Sequence, residues 1–267
     1  MARVLITGCS TGIGRATAAE LTGRGHEVIA TARRPETLAD LDVKERFALD
    51  VDSDDSVRAA VEQASPVDAL VNNAGFGLVG PVETLPLDEV RRLFETNVFG
   101  AWRMMQAVLP GMRARGAGTI VNVTSLAGRV VAPLDGAYSA SKYALEAITE
   151  ALHYEAGHFG IRVVAIEPGA FTTQFSEREL RLGIEAPYDE LDRLWQQAWD
   201  NMPGRDDDGG VPGPEPVAVA IADAIEAPDT PRRVPVGADA DVIIATRNEM
   251  DDAAFEATMR GVLGLDW

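Results

Sequence analysis

Short β-branched apolar runs alternate with stretches of helical spacing along nearly the whole chain, and that alternation leaves few folds open. Arg3 to Thr7 reads as a buried strand ending at Gly8. Beyond it, Arg15 to Arg24 sets Ala16, Ala19 and Leu21 at helical spacing and stops at Gly25. Strand-like runs recur at 28–31, 47–51, 67–71, 119–123, 161–166 and 233–237. Between them the spacing predicts a helix opening on Ser53 as N-cap, and others over 87–94, 96–115, 138–157 and 216–227. The expected fold is α/β: a doubly wound, parallel, seven-stranded sheet with helices on both faces, in a single domain over 1–267.

Charge and composition remove several classes of function. A formal net charge of -18 argues against a nucleic-acid surface and against adhesion to anionic membranes. It leaves room for a small phosphate-bearing ligand, which needs only local positive charge. The single cysteine, Cys9, excludes an intramolecular disulfide and any multi-cysteine metal site, and His26, His153 and His158 are too scattered for zinc, so no metal is expected. No apolar segment approaches bilayer-spanning length, and the chain starts directly on a strand, so a soluble cytoplasmic protein without membrane insertion is expected.

Two places carry chemistry. Gly8, Gly12 and Gly14 lie between the first strand and the first helix, where bare backbone approaches a pyrophosphate and helix N–H groups point at its charge. An unliganded glycine-rich turn is the alternative. At the end of the second strand an acidic residue would bind the adenosine ribose hydroxyls, but the chain has Thr31-Ala32-Arg33-Arg34. Guanidinium groups suit a 2′-phosphate, so NADP(H) is preferred over a possible NAD(H). Solvated surface arginines are the other reading, more so for Arg34.

Farther on, Tyr138 and Lys142 stand four residues apart in a chain with only two lysines. On a helix the ammonium would lie beside the phenol. An adjacent cation favours the phenolate, which predicts a tyrosine lowered from about pH 10 toward neutrality and usable as a general acid or base.

These motifs together resemble the short-chain dehydrogenase/reductase family in its compact form, strongly over about residues 3 to 175. Thr7 to Gly14 resembles its cofactor loop, Asn72-Asn73-Ala74-Gly75 its motif after the fourth strand, and Asn97, Ser125, Tyr138 and Lys142 its catalytic tetrad in order and spacing. The resemblance implies that Ser125 polarises the substrate oxygen, Tyr138 moves its proton and Lys142 grips the nicotinamide ribose. Asn97 would hold a water in a relay from Lys142. It further implies that Ser10, Thr11 and Ile13 line the phosphate loop, Asp50 and Val51 meet the adenine, and Asn73 with Gly75 the adenosine side. Pro168, Gly169 and Thr173 would hold the nicotinamide amide. Two departures stand out: Thr11 occupies a place where NADP-preferring relatives often carry a basic residue, and Glu167 precedes Pro168.

Substrate choice in such folds resides in a lid, here about 175–213, with an inner stripe of Leu191, Leu194, Trp195 and Trp199 that either faces substrate or packs as ordinary core. With Phe76 and Val130 it favours a small hydrophobic ketone, aldehyde or alcohol, and the motif wording is similar to the 17β-hydroxysteroid and retinol dehydrogenase branch. Asp206 to Gly210 reads as a flexible joint, and the tail over 238–267 as a cap or a subunit contact. A homodimer or homotetramer through the 96–115 and 138–157 helices is what the family implies. A dinucleotide sensor without turnover is the competing class, disfavoured by the intact tetrad.

Overall fold

The computed structural model describes residues 1–177, 179–200 and 210–265. Its strands are β1 (Arg3–Ile6), β2 (Glu27–Ala32), β3 (Glu45–Ala48), β4 (Ala69–Asn72), β5 (Leu78–Val79), β6 (Gly118–Val123), β7 (Ile161–Pro168), β8 (Leu180–Arg181) and β9 (Arg233–Val236). Its helices are α1 (Gly12–Gly23), α2 (Asp54–Ala64), α3 (Leu87–Phe94), α4 (Ala101–Arg115), α5 (Gly136–Gly157), α6 (Gln174–Glu177), α7 (Asp189–Asp200), α8 (Glu215–Glu226), α9 (Ala238–Glu249) and α10 (Asp252–Leu263).

Seven strands form one parallel sheet in the order β3-β2-β1-β4-β6-β7-β9. The chain moves outward from β1 to β2 and β3, then returns to lay β4 on the other flank of β1. At that reversal the loops after β1 and β4 diverge to opposite faces and open a crevice at the carboxyl ends of the strands. Leu5 stands opposite Leu70, and Val71 opposite Val121.

Side-chain alternation explains why both faces need cover. Val4 and Ile6 point into a cluster with Ala18 and Leu21 of α1 and Ile221 of α8. Leu5 points the other way, to Leu70, Ile120 and the Met104, Met105, Val108 and Met112 stripe of α4. A strand apolar on both sides is stable only between two helical layers.

Three departures from the sequence reading bear on the site. The predicted 96–115 helix begins as a π-helical turn over Glu95–Gly100 that joins α3 to α4. Its bare Gly100 packs on Val51, where a Cβ would come 2.7 Å from Cγ2. Next, β5 and β8 form a small parallel pair, Leu78 opposite Leu180, too short for any period to announce it. Finally, α7, within the expected lid, lies against α10 of the tail. The Asp206–Gly209 part of the expected joint lies outside the described residues. Among the described residues no helix is long and apolar enough to cross a membrane, and no group of His, Cys, Asp and Glu side chains is placed to hold a metal ion.

Candidate active site

The crevice has a phosphate end made mostly of backbone. Thr7 Oγ1 accepts from the N–H groups of Asn73 and Ala74, both at 2.9 Å. Asn73 Nδ2 donates to the carbonyls of Thr7 at 2.9 Å and Gly8 at 3.1 Å. These bonds lock the loop after β1 to the turn after β4, so Asn73 braces the cradle with the side chain expected at the adenosine. Gly8 and Gly12 have φ of 75° and 56°. A Cβ on Gly14 would lie 2.4 Å from Asn73 Nδ2 and 2.5 Å from the Gly8 carbonyl, so no side chain fits there. Thr11 caps α1 without a side-chain bond and no acidic residue occupies its first turn, leaving the first N–H groups and the positive helix end to an anion.

Ser10, Thr11, Gly12 and Ile13 are partly exposed along this cradle. Ile13 also leans on the core beside α1. Thr173 crosses from the far side: a Cβ on Gly12 would approach its Cβ to 3.2 Å. Asp50 is partly buried with its N–H bonded to Ser56, whereas Val51 is 7% exposed and its side chain serves packing. Gly75 sits against Asn97, with 2.9 Å between a Cβ and Oδ1.

Arg33 and Arg34 follow β2 and are exposed. Among the described residues they are the two arginines whose guanidinium has no ion pair, hydrogen bond or ring partner. The others are engaged by carboxylates, carbonyls or rings. In so acidic a chain, two free guanidinium groups at the crevice leave a local positive charge uncommitted.

The reacting end is made of side chains. Tyr138 and Lys142 project from successive turns of α5. The Tyr138 phenol lies beside Ser125, whose Oγ lies 3.5 Å from the Pro168 carbonyl and accepts from Ala127 N–H at 3.0 Å. Lys142 is 6% exposed, and its Nζ donates to the Val123 carbonyl at 2.9 Å, 5.7 Å from the Tyr138 ring centroid. Asn97 lies in the π-helical turn. Its Oδ1 accepts from Phe76 N–H, and its Nδ2 donates to Phe76 O at 3.0 Å and to Ser141 Oγ at 3.2 Å. Its amide is therefore committed to backbone and to Ser141. The structure thus brings Ser125, Tyr138 and Lys142 together beside Pro168, with Asn97 one layer behind.

Electrostatics correct one expectation. The phenol lies above its ordinary range rather than near neutrality, because burial disfavours the phenolate and the Asp135 and Glu179 carboxylates repel it. The neighbouring Ser125 hydroxyl offsets part of this. Lys142 donates its Nζ to the Val123 carbonyl and is itself pushed down to about 8 by burial, with Glu146 opposing the shift.

Asp135 and Glu179 were invisible to motif reading. Asp135 sits at the start of α5, accepts from Ser139 Oγ at 3.0 Å, and is pushed up to about 7 chiefly by burial. Glu179 precedes β8, and burial raises it too. The only signal for Asp135 was its place one turn before Tyr138. Glu167 is fully buried and paired with Arg129 at 3.0 Å and Arg233 at 3.4 Å, so it anchors the strand end.

Known proteins agree with this geometry. A short chain dehydrogenase family profile matches residues 2–181. The chain is 42% identical over 181 residues to the uncharacterized oxidoreductase YbbO of Escherichia coli, covering 65% of this chain and 67% of that one. It is 41% identical over 178 residues to 3-ketodihydrosphingosine reductase of Bacteroides thetaiotaomicron, 65% of each. With human retinol dehydrogenase 8 it shares 41% identity over 196 residues, 66% of this chain and 61% of that protein. The chain thus spans about two thirds of the length of these relatives. A short-chain dehydrogenase from Streptomyces avermitilis superposes with a TM-score of 0.82 at 34% identity, over 100% of this chain and 99% of that one. A second, from Burkholderia cenocepacia in complex with NADP, gives 0.78 at 26% identity over 97% of both. The chain belongs to the short-chain dehydrogenase family, as an NAD(P)-dependent oxidoreductase acting on CH–OH or C=O groups.

Proposed function

We propose that this short-chain dehydrogenase is an NADPH-dependent reductase of hydrophobic ketones or aldehydes. The observation that carries the chemistry is the Ser125–Tyr138 hydroxyl pair beside the Pro168 turn, within reach of the glycine cradle through Thr173. The cradle fits a pyrophosphate, and Arg33 and Arg34 would hold the 2′-phosphate. When bound, the dinucleotide supplies the hydride. Ser125 donates to the substrate oxygen and polarises it. Tyr138 then delivers its proton, a task suited to a phenol that stays protonated across neutral pH. Lys142 would grip the nicotinamide ribose and steady the negative charge left on Tyr138.

Apolar groups around Tyr138 support the substrate class. The Phe175 ring centroid lies 5.7 Å from that of Tyr138, and Phe76, Leu180 and Leu182 join the same cluster. Asp135 and Glu179 add acceptors to this wall, so hydroxyl- or amino-bearing ketones belong in the test panel. Within the α7 stripe, the Trp195 and Trp199 ring centroids lie 5.8 Å apart. The names of two relatives, a keto-lipid reductase and a retinol dehydrogenase, favour an extended apolar substrate.

The runner-up is an NAD-linked secondary-alcohol dehydrogenase using the same residues. It is favoured by a similar 3-ketoacyl-(acyl-carrier-protein) reductase from Brucella melitensis solved with NADH. We further propose self-association through α4, the π-helical turn before it and α5, where Phe99 is 47%, Trp102 44% and Tyr154 68% exposed. Sedimentation showing only a monomer would remove that element. The primary test is Tyr138→Phe assayed with NADPH against steroids, retinal, long-chain keto-lipids and small ketones. Turnover should fall by about a thousandfold while NADPH affinity stays within about threefold. Undiminished turnover would refute the assignment, and no turnover by the native enzyme despite tight NADPH binding would favour a sensor.

A further inference from the structure

The segment from Pro168 to Thr173 spans the whole crevice. At one end the Pro168 carbonyl faces the Ser125 hydroxyl; at the other, Thr173 packs over Gly12. Any ligand reaching from the glycine cradle to Tyr138 must run along this segment, and its backbone groups at 168–170 border the reacting end. What fixes those groups comes from nearly seventy residues later in the chain. Gly169 N–H donates to the Val236 carbonyl of β9 at 2.9 Å. Ala170 N–H donates to Asp239 Oδ2, in the first turn of α9, at 2.6 Å.

The surroundings are shaped around that carboxylate. Asp239 is 4% exposed. A Cβ on Gly169 would fall 2.1 Å from its Oδ1 and 2.3 Å from its Oδ2. Gly237, at φ 107°, is bare on the same side, where a Cβ would lie 2.7 Å from Oδ1 and 3.3 Å from the Phe171 ring. Two glycines thus leave the volume one carboxylate fills, and a charge-assisted bond fixes the peptide between Gly169 and Ala170. A buried acid so placed ties α9 to the crevice, because its short outward bond goes to the crevice segment.

We propose that Asp239 is a positioning residue for the nicotinamide end of the crevice, setting the 168–170 backbone from behind so that it meets the nicotinamide while the adenosine end is held independently. The proposal rests on the reading that this chain binds a nicotinamide dinucleotide. Its signature is a split between the two halves of that ligand. In Asp239→Ala the affinity for NADPH should weaken by about tenfold, since a displaced turn misplaces the ring. Affinity for 2′-phospho-ADP-ribose, which has the adenosine half and no nicotinamide, should stay within about twofold. Asp239→Asn keeps the volume and one acceptor, so it should recover most of the lost NADPH affinity.

Both ligands are titrated by fluorescence quenching on folded native and variant protein, with circular dichroism as the check on folding. Equal weakening of both ligands, or of neither, overturns the proposal and leaves Asp239 a purely structural acid. Should the alanine variant fail to fold, Asp239→Asn carries the same comparison: a selective loss of about two- to threefold for NADPH supports the proposal, and none overturns it. Failure of the native protein to bind either ligand would sink the dinucleotide reading instead.

Discussion

The two ends of the crevice are built from different materials. At the phosphate end the working groups are peptide N–H donors, held by Thr7, Asn73 and the absence of side chains at Gly8, Gly12 and Gly14. At the reacting end they are buried side chains, a phenol pushed up and an ammonium pushed down to about 8. Backbone donors have fixed partial charges, so the first end is tuned by shape. The second is tuned by its surroundings, including carboxylates that share no motif with the groups they act on. A steric change should therefore cripple one end, and a charge change should reset the other.

The largest effect on binding is expected from Gly14→Ala. The added methyl meets Asn73 and the Gly8 carbonyl at well under contact distance, so the cradle must open. NADPH affinity should fall by about a hundredfold, read by fluorescence titration, through local backbone displacement. Retention of native affinity would show that the cradle is softer than its geometry indicates.

A smaller, selective effect is expected of Arg33→Ala. NADPH binding should lose about 1–3 kcal/mol with little change for NADH, because only the former carries the phosphate a guanidinium would meet. An unchanged ratio of the two affinities would remove the argument for NADP and promote the NAD-linked reading.

The smallest effect has an unusual sign. Lys142 is pushed from its ordinary 10.5 to about 8 by burial, so its charged form is penalised in the folded state. That penalty is fully present below about pH 8 and disappears as pH rises toward 10.5, where the unfolded chain also loses the proton. Lys142→Met should therefore be more stable than the native enzyme at pH 7 by about 1–2 kcal/mol, after allowing for the lost Val123 bond. The advantage should shrink by pH 10. Urea unfolding at the two pH values measures it, and an equal difference at both would contradict the burial account.

How much was legible follows the same division. The sheet could be read because strands apolar on both faces leave a plain trace in sequence, and the cradle because glycine is required where a Cβ would collide. Ser125, Tyr138 and Lys142 were found by their order, and the structure assembles them. The lowered phenol was misjudged because spacing on a helix gives a face, not the depth of burial that disfavours a phenolate. Nor does it reveal Asp135 or Glu179, whose influence depends on burial. The π-helical turn at Asn97 and the two-residue strands β5 and β8 are set by tertiary packing, which no local pattern encodes. Asp239 escaped notice for a related reason: it acts across sixty-nine positions, the separation between it and Ala170.

That separation has a temporal side. A ribosome delivers Ala170 well before β9 and Asp239 emerge, so the crevice segment waits for its backing until the last part of the chain is made. A chain stopped before Asp239 would keep that unfinished condition, its segment after β7 lacking the carboxylate that aims it.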